Sequence, residues 1–246
     1  LVVAAREVRG PAVVGVLLDL GAKVDAADRY GATALALAAW RGSADVVSLL
    51  LARGASLPTA PGEIREILLN AASTGLSDLF LKMAAKGADL QLDVGQNRTL
   101  LHSAAEGGSV PIVAALLEKR FDVNRSDSYG WTPLHFAADM GRTEVVTALL
   151  DKGADLNART VMGQSAYNLA QDNDDAPMTA LLAAKGADRS SPRFPEFRGP
   201  YMGQKPPGET PELFAPGIVS ARYGLHSNIV FSPDGTEAFW SVMTPP

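Results

Sequence analysis

The chain has 246 residues, 47% hydrophobic and 20% charged, which is enough for a sizeable core in one large or two modest domains. A formal net charge of −5 offers no basic field to a phosphate backbone or an anionic membrane surface, so neither nucleic acid nor membrane is expected as a partner. With no cysteine, disulfides, thiol nucleophiles and thiolate zinc sites are excluded, and no apolar run is long enough to span a bilayer. These facts leave the compartment open between periplasm and cytoplasm. Because the chain opens at Leu1 within an apolar helical pattern rather than at a methionine, we expect further sequence upstream.

In chain order, residues 1–26 read as an incomplete helical unit, and residues 28–57 as a complete one. Residues 61–90 keep the helical pattern without a recognisable hairpin, residues 93–124 and 127–157 are complete again, and residues 160–188 form an atypical last unit. The units share a step of 33 residues: Gly21, Gly54, Gly87, Gly153 and Gly186 are each followed by alanine, with Arg120-Phe121 in the missing place. Parallel columns follow the same step. Ala38, Ala71, Ala104, Ala137 and Ala170 form one, and Leu35, Leu68, Leu101 and Leu134 another. Gly42, Gly75, Gly108 and Gly141 form a third, which Asp174 ends, and Thr33, Thr99, Thr132 and Ser165 a fourth.

Within a unit, Thr132 is placed to cap an apolar helix, Pro133 suits its first position, and Gly141 stops it before Val145, Val146, Leu149 and Leu150 return at helical spacing. Each unit is predicted to be a helix-turn-helix that buries its apolar face only by stacking on the next.

The run Asp127-Ser128-Tyr129-Gly130-Trp131-Thr132-Pro133-Leu134-His135-Phe136-Ala137-Ala138, with Gly141, Val145, Val146 and Gly153-Ala154-Asp155, resembles an ankyrin repeat at nearly every position. Residues 28–57 fit nearly as well. Residues 93–124 fit with Asn97 in place of the hairpin glycine and Arg120 in place of the helix-end glycine. The resemblance implies a mainly α fold, an ankyrin solenoid of about six units over residues 1–190, and protein–protein interaction as its work. It also implies that His102 and His135 tie neighbouring repeats together by hydrogen bonds, so neither metal nor general-base roles are expected of them.

No cofactor is expected. The chain has no phosphate-binding glycine loop with lysine, no Gly-x-Ser-x-Gly elbow and no His-Glu-x-x-His, so it is not expected to be an enzyme. The acidic run at Asp172, Asp174 and Asp175 lacks the glycine and distal glutamate of a calcium loop. What remains is a surface. Carried over from the resemblance, hairpin positions fall on Arg29, Tyr30, Ser128, Tyr129, Trp131, Val161 and Met162, and the exposed face of the first helices on Trp40, Arg41, Glu106, Asp139 and Met140. Aromatic residues, Arg and Met are frequent interface anchors. Tyr129 and Met140 are the strongest candidates, whereas Trp131 serves packing and recognition equally well. The partner is expected to be another protein, and the fragment itself a monomer.

After Ser190 the period ends, and ten of the 16 prolines and eight of the 16 aromatic residues fall in the last 56 positions. Residues 191–211 read as a Pro/Gly-rich linker, and residues 212–246 as a β segment. There, Ser227–Phe231 and Glu237–Ser241 flank the turn sequence Ser232-Pro233-Asp234-Gly235-Thr236. Phe231-Ser232-Pro233-Asp234-Gly235 is similar to a blade of TolB-type β-propellers, and Tyr201 to Pro207 to the lead-in before such domains. One hairpin cannot close a propeller, so this resemblance implies a truncated one, with an extension packed on the last repeat as the alternative. A recruiting or regulatory role within a larger propeller-containing hydrolase or sensor is the second functional expectation.

Overall fold

The computed structural model describes residues 1–6, 10–190, 230–231 and 238–239. Twelve helices run through these residues: α1 Val2–Arg6, α2 Gly10–Asp19, α3 Ala34–Trp40, α4 Ala44–Ala52, α5 Pro61–Thr74, α6 Ser77–Ala85, α7 Leu100–Gly107, α8 Val110–Glu118, α9 Pro133–Asp139, α10 Thr143–Asp151, α11 Ala166–Asp172 and α12 Ala176–Ala184. Consecutive helices pair into six units, here repeats 1 to 6. The odd-numbered helices pack on one another in chain order from α1 to α11, and the even-numbered ones do so from α2 to α10. The result is a two-layered helical solenoid.

The layers differ in burial because their neighbours differ. An odd-numbered helix has a neighbour on either side and its own partner behind it, so Pro133 to Ala138 are all buried. α10 buries only the stripe Val145, Val146 and Leu149. Every alanine of the column from Ala38 to Ala170 has no exposed surface, and Leu35, Leu68, Leu101 and Leu134 are buried beside them. Small residues let the inner helices approach closely, and the approach is tightest at Gly107. A Cβ there would stand 2.3 Å from the Ala72 carbonyl oxygen and 2.8 Å from that of Ser73.

The period is also written in the backbone. At the inter-helix turn Asp174 has φ 54°, matching the positive φ of Gly42, Gly75, Gly108 and Gly141. At the end of α8, Arg120 has φ 63° in the glycine column. A side chain in this left-handed conformation costs about 1 kcal/mol, so the register is dictated by packing even where the residue opposes it.

Repeat 3 departs from the pattern. Its first helix would start at position 67 if it kept step with Ala34, Leu100, Pro133 and Ala166, yet α5 starts at Pro61. Pro61 supplies a preset φ at the helix start, and no glycine stands at Ile64, where the other units turn at Gly31, Asn97, Gly130 and Gly163. The chain therefore continues as helix where its neighbours make a hairpin.

In the C-terminal part, β1 Val230–Phe231 pairs antiparallel with β2 Ala238–Phe239, with Val230 opposite Phe239 and Phe231 opposite Ala238. The turn 232–236 and the linker 191–211 lie outside the described residues. Among the described residues no helix is long and apolar enough to cross a membrane.

Candidate functional site

The hairpins of repeats 2, 5 and 6 are built around one side chain each. Asp127 accepts through Oδ1 from the N–H groups of Tyr129 at 2.8 Å and Trp131 at 2.9 Å, while its own N–H donates to the Trp131 carbonyl at 2.8 Å. Asp28 does the same for Tyr30 and Ala32 in repeat 2. Thr160 takes the place of the aspartate in repeat 6, accepting through Oγ1 from Met162 and Gln164. A short polar side chain that satisfies two turn amides replaces water there, which fixes the tip.

Tips of repeats 4, 5 and 6 are then joined. The N–H of Ser128 donates to the Gln96 carbonyl at 2.9 Å, and that of Val161 to the Tyr129 carbonyl at 2.9 Å, 32 residues apart in each case. Gly130 permits the approach, since a Cβ on it would lie 2.9 Å from the Val161 nitrogen. Ser128, Tyr129, Val161 and Met162 thus form one row along a backbone ladder, with Ser128 exposed and the other three half-buried. In repeat 2 the tip carries Arg29 stacked over the Tyr30 ring, 4.7 Å to its centroid, and Tyr30 is 77% exposed. No such ladder joins this tip to its neighbour, because repeat 3 has helix in that place.

The second row lies where the first helices end. Trp40 and Met140 are exposed large apolar side chains there, at 43% and 44%, and Arg41 is exposed beside Trp40. Glu106 and Asp139 are half-buried and already engaged. Glu106 pairs with Arg98 at 2.7 Å, and Asp139 accepts at 3.0 Å from Nδ2 of Asn173. Trp131 sits below the tips against Phe136, with ring centroids 5.0 Å apart, and leans on His135 at 6.1 Å. The array therefore presents Tyr30, Trp40 and Met140 most openly, Tyr129 only in part, and uses Trp131 for packing.

His102 and His135 stand at equivalent places at the start of α7 and α9. Nδ1 of His135 accepts from the Thr132 N–H at 3.0 Å, so the proton is on Nε2, which donates to the Ala158 carbonyl of the next repeat at 3.1 Å. His102 makes the same bond to the Thr99 N–H at 3.0 Å. Its Nε2 is buried without a hydrogen-bond partner among the described residues, although the Arg125 carbonyl is close enough to act on it electrostatically. Burial pushes both imidazoles down to about 4, aided at His102 by the positive charge of Arg98. Both are neutral, and the bond from His135 ties repeat 5 to repeat 6. The acidic run has local work too: Asp172 accepts from Gln164 at 2.9 Å, and Asp175 caps α12 by accepting from the Met178 N–H at 2.9 Å. Among the described residues no three histidines, aspartates or glutamates are gathered as a metal would require.

Two features escaped the sequence reading. Asn168 occupies the histidine column in repeat 6: its Oδ1 accepts from the Ser165 N–H at 3.0 Å, and its Nδ2 donates to the Ser190 carbonyl at 3.1 Å. Asparagine thus repeats the histidine's two bonds, and the 33-residue step from His135 is the signal that could have found it. Phe136 is the other. It is buried between repeats 4 and 5, with the Arg98 guanidinium 4.2 Å from its ring centroid, the His102 ring edge-on at 5.8 Å, and Trp131 beside it.

Comparison with known proteins agrees with this architecture. No curated protein matches the chain significantly. The family described as "Ankyrin repeats (3 copies)" matches residues 68–160, and the one described as "Ankyrin repeat" matches residues 30–62. Ankyrin repeats generally mediate protein–protein interaction and are typically not enzymes. With these matches covering just over half of its residues, and helix-turn-helix units continuing on either side of them, the chain belongs to the ankyrin-repeat family.

Proposed function

We propose that the array binds a protein partner, as a monomer, through the two rows formed by its hairpin tips and the ends of its first helices. The observation that carries this reading is the exposure of Tyr30, Trp40 and Met140 on those rows, while the equivalent apolar columns beneath them are buried. Large side chains left in water on a rigid scaffold cost little to order on binding and release much apolar surface. Arg29 and Arg41 accompany the aromatic residues of repeat 2, and Ser128, Tyr129, Val161 and Met162 continue the surface in repeats 5 and 6. The test is capture of partners by the 246-residue chain and by the variant Tyr30→Ser/Trp40→Ser/Met140→Ser. We expect an unchanged helical spectrum and loss of the captured protein. Undiminished capture by the folded variant would show that the surface lies elsewhere.

A second reading is favoured by the antiparallel pairing of Val230–Phe231 with Ala238–Phe239 around the Ser-Pro-Asp-Gly turn sequence. In it, residues 191–211 link the array to the first strands of a β-propeller beginning near residue 212, and the array recruits or regulates that domain. Reading the coding sequence after Pro246 tests it, since the reading requires further strand-turn-strand units of the same kind.

A further inference from the structure

The irregular repeat 3 leaves an open cleft of about 940 Å³ against repeat 2, floored by Leu51, Leu57, Ile64 and Met83 and edged by Lys82 and Lys86. Its cause is local. At three of the other four junctions one side-chain acceptor pins the loop between repeats to a backbone N–H 31 residues later: Asp25 holds Ser56, Asn124 holds Asp155, and Asn157 holds Asp188, each at 2.8 Å. Pro58 stands in that column and has no acceptor, so Asp89 is not held in this way. With α5 taking up the hairpin residues as well, the loop 55–60 leaves the apolar floor uncovered.

The edge of the cleft is charged for a reason equally specific. Basic residues end the second helices in one column, Arg53, Lys86, Lys119, Lys152 and Lys185, where they face the helix carbonyls. Arg53 meets Asp19 at 2.8 Å and Lys185 meets Asp151 at 4.0 Å, each acid lying 34 residues before its partner. For Lys86 that place is held by Ala52, and among the described residues neither Lys86 nor Lys82 has an ion-pair partner. Two unpaired ammonium groups one helical turn apart thus border an apolar floor, in a chain whose net charge is negative.

We propose that this cleft is a second binding site, independent of the hairpin rows, for a short extended peptide of another protein in which large apolar side chains adjoin carboxylates. The apolar side chains would cover Leu57, Ile64 and Met83, and the carboxylates would meet Lys82 and Lys86.

Fluorescence anisotropy with the full chain tests it, using as probe a labelled hexapeptide that alternates Glu with Leu and Phe, and a twin with Lys in place of Glu. The acidic peptide is expected to bind saturably below millimolar concentration, and the basic twin roughly tenfold more weakly or not at all. Lys82→Glu/Lys86→Glu should weaken the acidic peptide by about tenfold and reverse the preference. Ala85→Trp, at an exposed residue lining the cleft, should block binding without unfolding the chain. Tyr30→Ser/Trp40→Ser/Met140→Ser should leave it unchanged, which separates this site from the hairpin rows.

Equal binding of the two peptides, no binding of either, or binding that survives Ala85→Trp would overturn the proposal. So would a cleft filled from within: a dimer that Ala85→Trp dissolves, or a carbodiimide cross-link from Lys86 to a carboxylate beyond residue 190 of the same chain.

Discussion

Repeats 2 and 3 and repeats 4 to 6 share one period and one set of core columns, yet they are held together differently. In the later repeats the histidine column reads His102, His135 and Asn168, and the tips are laced through Ser128 to Gln96 and Val161 to Tyr129. In the earlier ones the same column reads Ala36 and Leu69, which have no polar atom to reach the next repeat, and repeat 3 has no tip to lace. Hydrophobic stacking is therefore common to the whole array, whereas directional bonding is concentrated in its C-terminal half. Since each repeat in a solenoid is stabilised mainly by its neighbours, such an array opens first where the neighbour bonds are fewest. The more exposed aromatic residues and the open cleft both lie in that less laced half.

The largest effect is expected from breaking the junction between the two regions. Gly107→Ala places a Cβ 2.3 Å from the Ala72 carbonyl, against the backbone of a packed helix, so α5 and α7 must move apart. A loss of roughly 3 kcal/mol or more is expected, and urea unfolding should separate into two transitions as the halves uncouple. A single transition at the original midpoint would mean that the close approach is not a structural constraint.

Next in size is the polar lacing itself. His102 and His135 are held near 4 in the fold against an ordinary value of 6.5, so between those values the unfolded chain binds more protons. Their neutral, buried state therefore contributes full stability above about pH 6.5, and that contribution is lost as pH falls toward 4. The loss is on the order of 3 kcal/mol per histidine at most. His102→Asn/His135→Asn copies the bonding of Asn168 without a titrating group. Urea midpoints at pH 7 and pH 5 should differ less for this variant than for the parent chain, whose remaining acid sensitivity comes from carboxylates common to both. Equal pH dependence of the two would remove the histidines from the account.

The smallest effect sharpens the comparison by improving the laced half. Arg120 has φ 63° in a column where glycine otherwise stands, and its side chain is exposed. Arg120→Gly should stabilise the chain by about 0.5–1 kcal/mol, read as a higher denaturation midpoint with an unchanged slope. A decrease would mean that the arginine contributes a contact outweighing its backbone cost.

Much of the architecture was legible because it repeats. The 33-residue columns predicted the helix-turn-helix units and the buried alanines and leucines, whereas the left-handed turn at Asp174 and the anchoring of tips by Asp28 and Asp127 came from the structure. The candidate rows were implied by the ankyrin resemblance, and Tyr30, Trp40 and Met140 are exposed at those positions. The degree of exposure at each place was not legible. Tyr129 is partly covered where its carbonyl joins the ladder, and Trp131 turns in to meet Phe136.

The sequence by itself determined the register, since apolar spacing, caps and turn residues act within a few positions of one another. Only the tertiary structure decided that Gly107 rather than Gly108 is the point of closest approach, that Arg98 stacks on Phe136, and that Lys82 and Lys86 border an open cleft against repeat 2. Each of these depends on atoms about one repeat apart in the chain, brought together by stacking, and no local pattern carries that information.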